Sequence, residues 1–171
     1  MLRLMILRHA RAATPEGVRD LDRPLDPAGR AEASRVGRYL GANGLLPNQV
    51  LVSPARRTQE TWDLVRHSLP GAPDPVDAPI YGMSALQLMQ LLRKLDRKDE
   101  AVLLIGHNPG CEELAQLLAG TGDPSVLKDL RQHYPPASLA VLDFNRANWS
   151  EIDHGGGRLE RFVTPESIMA A

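Results

Sequence analysis

Short apolar runs alternate along this chain with helical stretches, and that alternation limits the fold more than any other feature. Leu2 to Leu7 is an apolar run ending in Arg8-His9, the pattern of a strand buried on both faces that delivers polar residues at its carboxyl end. Asp26-Pro27 reads as an N-cap followed by proline in the first helical turn, opening a helix to about Leu40 with Gly41 and Gly44 as stop signals. Gln49 to Val52 is a second strand, and Pro54 to about Leu69 a second helix. Pro70 to Pro79, with four prolines and a glycine, is a loop or extended connection. Ser84 caps a helix in which Leu88, Leu91, Leu92 and Leu95 recur at intervals of three and four. Ala101 to Ile105 is another buried strand, followed by Gly106-His107-Asn108-Pro109 and a helix from about Gly110 to Leu118.

The tail is less regular. Ser138 to Phe144 reads as a strand, Asn145 to Gly157 as a turn region and Arg158 to Val163 as a last strand. Strands alternating with helices predict an α/β fold: a single-domain three-layer sandwich over residues 1–171, with a mostly parallel sheet and helices on both faces. A chain of 171 residues with 43% hydrophobic and 24% charged residues can bury one sizeable core, which excludes disorder as its overall state.

Twenty basic residues against 21 acidic ones leave a net charge of -1, so no global field draws the chain to nucleic acid or to an anionic membrane. No apolar run approaches the roughly 18 residues of a membrane span, and Met1 to Leu7 is too short and too interrupted by Arg3 for a secretory leader. The single Cys111 rules out an intramolecular disulfide framework or a multi-cysteine metal site and fits a reducing compartment, the cytoplasm. The charge is nevertheless uneven: residues 1–57 hold ten arginines against five acids, so the remainder carries -6.

In an open, mostly parallel sheet, ligands bind beyond the carboxyl ends of the strands. Three polar clusters are expected there: Arg8-His9 after the first strand, Ser53 to Arg57 after the second, and Gly106-His107-Asn108 after Ala101–Ile105. Two arginines and two histidines at one sheet edge make an anion site. A neutral imidazole can attack phosphorus when its other nitrogen is pinned, and neighbouring arginines disfavour its protonation. His9 beside Arg8 meets that description, and His107 can donate a hydrogen bond to phosphoryl oxygens. His67, His133 and His154 lack comparable settings. His9 and His107 have no acidic or histidine partner at metal-ligand spacing, so no metal or other cofactor is expected. Gly155-Gly156-Gly157 reads as a flexible turn rather than a phosphate loop.

These residues resemble the histidine phosphatase superfamily, and within it the SixA-type phosphohistidine phosphatases. Leu7-Arg8-His9-Ala10 is similar to the Arg-His-Gly signature, Asp20 to Leu25 to the segment before the first helix, and Ser53 to Thr61 to the Ser-Pro-x-x-Arg-x-x-x-Thr element. Gly106-His107-Asn108-Pro109 is similar to the second histidine motif, so the likeness covers roughly residues 1–120. The resemblance implies a phosphoglycerate mutase-like fold with His9 as the phosphorylated nucleophile. It also implies that Arg8 and Arg57 grip the phosphoryl group and that His107 completes the pocket; Asn108 is a candidate substrate contact. Register selects Arg57 over Arg56, which is expected to face solvent.

Two positions depart from the family pattern. Ala10 stands where the signature has glycine, and Pro79 to Met83 offers no carboxylic acid where mutase-like branches place a proton donor. Asp20 or Asp22 could substitute if their loop folds back, or either could pair with Arg23. Losing a general acid typically costs about 10² to 10⁴ in rate for an alkoxide leaving group, whereas imidazole leaves a phosphoramidate as a neutral molecule. The expected reaction is thus metal-independent removal of phosphate from phosphohistidine in a protein, and activity should fall at acid pH as His9 is protonated. A chain this short has little room for a capping insertion, so the pocket should admit a side chain presented by another protein. Two alternatives stand beside this: a phosphatase for a small phosphorylated metabolite, and a non-catalytic phosphate-binding module.

Overall fold

The computed structural model describes residues 1–169. Along the chain run β1 (Leu2–Arg8), α1 (Pro27–Ala42), β2 (Gln49–Val52), α2 (Arg56–Val65), β3 (Val76–Asp77), α3 (Ala85–Leu92) and β4 (Ala101–Gly106). They are followed by α4 (Gly110–Leu118), β5 (Ala119–Gly122), α5 (Pro124–Gln132), β6 (Leu139–Phe144), β7 (Gly157–Val163) and α6 (Pro165–Met169). All seven strands join one sheet in the order β3-β2-β4-β1-β6-β7-β5. Only β6 runs against the other six.

Period-two alternation along the central strands divides the core between two faces. Leu2, Leu4 and Ile6 of β1 and Val102 and Leu104 of β4 pack with residues of α3, α4 and α5, among them Leu88, Leu92, Leu114 and Leu130. Met5 and Leu7, with Leu103 and Ile105, meet Val36 and Leu40 of α1 and Trp62 and Val65 of α2 on the other face. Both faces are covered by helices, so β1 and β4 can be continuously apolar, which is how their sequences read. Local signals set the helix starts. Asp26 accepts from the Gly29 amide at 2.7 Å and Pro27 occupies the first turn of α1. Ser84 and Gln87 form a reciprocal capping box at α3.

Several elements differ from the sequence expectation. The second helix is shorter than Pro54–Leu69: α2 ends at Val65 and a 3-10 turn continues over Arg66–Ser68. The proline-rich connection contributes a two-residue edge strand, β3. Residues 119–132, for which no element was expected, form β5 and α5. Within the turn region before β7, a 3-10 turn at Trp149–Glu151 buries the Trp149 ring against the core.

Register prepares one edge of the sheet for chemistry. In the parallel β1–β4 pair Arg8 lies opposite Gly106, and the ladder runs one step further as the His9 amide donates to the Gly106 carbonyl at 3.0 Å. In the β2–β4 pair Val52 faces Ile105, and the Ser53 amide donates to the Ile105 carbonyl at 3.2 Å. His9, Ser53 and His107 therefore leave three adjacent parallel strands at the same level.

Candidate active site

His9 is buried at the carboxyl end of β1, and its Nδ1 lies 2.7 Å from the carbonyl of Ala10. A carbonyl can only accept, so Nδ1 carries the hydrogen, and in the neutral ring Nε2 is left with the lone pair. Burial lowers the pKa of His9 from 6.5 to about 3, the charges of His107, Arg57 and Arg8 add to the effect, and the bond to Ala10 opposes it. The ring is neutral at neutral pH, with its lone pair on Nε2. The expected loss of activity on protonation is thereby displaced far below the ordinary histidine range.

His107 stands beside it, with ring centroids 5.4 Å apart. Its Nε2 is 2.7 Å from the Ser53 hydroxyl, and its buried Nδ1 has no partner in the protein. A hydroxyl donated by Ser53 to Nε2 puts the imidazole hydrogen on that unpartnered nitrogen. Burial first, then Arg57 and Arg8 against the counter-pull of Asp20, bring His107 to about 4.

The two arginines are anchored differently. Arg8 donates through Nη1 to the Tyr134 carbonyl at 2.9 Å, leaving its buried Nε without a partner. Arg57 lies in the first turn of α2 with its side chain only 7% exposed. Its Nη1 donates to the Asp20 carbonyl at 2.6 Å and its Nη2 to the Asp20 carboxylate at 3.0 Å, while Nε is buried and unpartnered. Two guanidinium Nε atoms and His107 Nδ1 thus lack a hydrogen-bond acceptor, which a tetrahedral oxyanion could supply. Arg56 turns outward to pair with Glu60 at 3.0 Å, as the register of the motif implied.

Asp20 does fold back over the site. Its carboxylate accepts from the Tyr81 hydroxyl at 2.6 Å, from Arg57, and from Arg23 at 3.2 Å. Those bonds, Tyr81's foremost, hold it well below the usual carboxylate range. Asp20 therefore reaches the site and also pairs with Arg23. It does so as an anion, already deprotonated where a general acid would need a proton. Asp22 pairs instead with Arg19 at 2.8 Å.

Asn108 lines the same cavity, but both ends of its amide are occupied. Nδ2 donates to the Tyr134 carbonyl at 3.1 Å and Oδ1 accepts from the Glu112 amide at 3.2 Å. In this arrangement it braces the start of α4 against the 134–137 segment. Ala10 needs no special backbone: among the described residues the one non-glycine with positive φ is Ala137, at 63°. The Ala137 amide donates to both the Arg8 and the His9 carbonyls, at 3.1 and 3.0 Å, so that left-handed residue clamps the turn carrying His9. Gly29 supports the next stretch; a Cβ there would lie 1.9 Å from the Arg11 carbonyl.

Sequence reasoning gave no role to Tyr81, Tyr134 or Ala137. Tyr81 had a weak signal, lying where the family's acid was sought. Tyr134 acts through its carbonyl and through a hydroxyl that donates to the Ile6 carbonyl, and Ala137 through its amide; neither left a signal. Among the described residues no group of three or more His, Cys, Asp or Glu is arranged to hold a metal ion, and no helix is long and apolar enough to cross a membrane.

A cavity of about 480 Å³ opens beside these groups, bordered by Arg57, His107 and Asp20 and extending to Tyr81, Met83 and Glu113. Residues 4–78 match the histidine phosphatase superfamily (branch 1). An Agrobacterium tumefaciens protein assigned as a phosphohistidine phosphatase SixA is 30% identical in a structural match with TM-score 0.78, covering 96% of this chain and 98% of that one. A SixA assignment from Nakamurella multipartitia matches with TM-score 0.83 at 25% identity over 96% of each chain. An uncharacterised chloroplastic protein of Arabidopsis thaliana is 31% identical over 182 residues, 98% of this chain and 79% of that protein. With the fold, the motif order and these likenesses in agreement, the chain belongs to the histidine phosphatase superfamily, in its SixA-type branch.

Proposed function

We propose that this phosphatase works without a metal through a phosphoryl-His9 intermediate and that its substrate is phosphohistidine in another protein. The observation that carries the reading is the pinned Nδ1 of a neutral, buried His9. In the first step the Nε2 lone pair forms a bond to phosphorus while the substrate's P–N bond breaks, its electron pair leaving with the substrate imidazole. Arg8, Arg57 and His107 stabilise the phosphoryl oxygens as charge redistributes. Water then attacks phosphoryl-His9, restoring the lone pair and releasing inorganic phosphate. Asn108 is assigned to holding this pocket's wall in place.

The state of Asp20 supports the substrate choice. A carboxylate locked onto Arg57 and Tyr81 has no proton to give an alkoxide. A phosphohistidine ring protonated from solvent on its far nitrogen leaves as neutral imidazole. A reducing compartment, the cytoplasm, suits the lone buried Cys111. Turnover of a phosphohistidine peptide should exceed that of a sugar phosphate by at least about tenfold in kcat/KM, on the scale of a missing general acid, and should survive EDTA. Faster turnover of the sugar phosphate would replace this reading with that of a metabolite phosphatase.

A further inference from the structure

The cavity beside the phosphoryl-binding groups has a lopsided charge. Its lining is in part apolar, with Ile80, Met83 and Leu88. The basic groups on its wall are Arg57 and the neutral His107, and Arg57 is already paired with Asp20. The same lining includes Glu113, an exposed residue whose carboxylate makes no hydrogen bond or ion pair among the described residues. The first turn of α4 tolerates that charge because the helix dipole favours a carboxylate there. The Tyr81 hydroxyl is spent on Asp20, and no lysine or arginine other than the paired Arg57 borders the cavity among the described residues.

A substrate whose far end carried a carboxylate or a second phosphate would thus meet a free anion and no free cation. A neutral or protonated nitrogen there would meet a carboxylate able to accept from it. We infer that Glu113 sets the charge class of the leaving group: the cavity takes a neutral or cationic group and turns away one bearing a second anion. This rests on the phosphatase reading above and narrows it. A phosphohistidine ring, positive when protonated on the nitrogen remote from phosphorus, falls in the accepted class; bisphosphates and carboxylated phosphate esters fall in the rejected one.

Phosphonates test the inference without any turnover, because their P–C bond is not cleaved. Calorimetric titration at low ionic strength with ethylphosphonate, aminoethylphosphonate and phosphonopropionate varies only the far end. The aminoethyl compound should bind about fivefold or more tighter than the carboxylated one, the scale of a partly solvated charge contact, and salt should shrink the gap. Glu113→Gln should collapse the ratio and Glu113→Lys should invert it. Equal binding of all three compounds, or a ratio unmoved in Glu113→Lys, would overturn the role of Glu113 while leaving the phosphatase reading in place. Failure of every phosphonate to bind would remove the anion site on which both rest.

Discussion

The two ends of the sheet serve the site in different ways. The β3-β2-β4-β1 portion carries the side chains to which the proposed reaction is assigned: His9 after β1, Arg57 after β2 and His107 after β4, with Ser53 after β2 bonded to His107. The segment leading into β6 supplies backbone instead. The Tyr134 carbonyl holds both Arg8 and Asn108, and the Ala137 amide holds the Arg8 and His9 carbonyls. On the proposed reading, one end determines which reaction is available and the other whether its groups stay aligned. Function and support can therefore be separated by substitution, since loss of a reacting group should lower turnover at unchanged stability, and loss of a support should do the reverse.

The largest effect is expected at the reacting end. His9→Ala should lower kcat by at least about 10⁴, as removal of a nucleophile does, with the melting temperature nearly unchanged. Arg57→Ala should cost about 10² to 10³ in kcat/KM, whereas Arg56→Ala, which removes only an exposed pair with Glu60, should stay within about twofold. Equal losses at the two arginines would show that the α2 register does not set the phosphoryl grip. At the supporting end, Tyr134→Phe deletes a buried hydroxyl that donates to the Ile6 carbonyl at 2.6 Å. Denaturant unfolding should register a loss of about 1 to 2 kcal/mol, while kcat in the folded protein changes by less than about threefold. A large kcat loss in that variant would erase the distinction between the two ends.

The smallest effect near neutrality is that of pH. His107 and His9 gain protons only near pH 4 and 3, so kcat/KM for a substrate of fixed ionisation should stay level from neutrality down to about pH 5 and fall below that. Stability follows the same groups. The unfolded chain protonates its histidines near 6.5 and the folded chain does not, so these two residues lower stability progressively as pH falls from about 6.5 toward 3. His107→Gln should flatten part of that decline, and an unchanged slope of melting temperature against pH would place the titrating groups elsewhere.

The placement of the residues at the proposed reacting end was legible in the sequence because they follow apolar strands. Arg8-His9, Ser53 to Arg57 and Gly106-His107 each sit where a parallel strand ends, and the parallel register then brings them level. The supporting end was not legible because a carbonyl or an amide has the same identity in every residue. Nothing in Ala137 announces a left-handed residue, and β5, with the sequence Ala-Gly-Thr-Gly, has neither the alternation nor the β-branched content of a strand. Asp20 illustrates a third case. The sequence left two readings of its loop open, folding back over the site or pairing with Arg23, and its charge state depends on Tyr81, 61 residues away.

The central claim concerns one nitrogen, Nε2 of His9. Rapid quenching of the enzyme during turnover, followed by phosphorus NMR and peptide mapping under alkaline conditions, should find the phosphoryl group on Nε2 of His9, stable to alkali and lost in acid. A phosphoryl group on His107, or an adduct that persists in His9→Ala, would contradict the account.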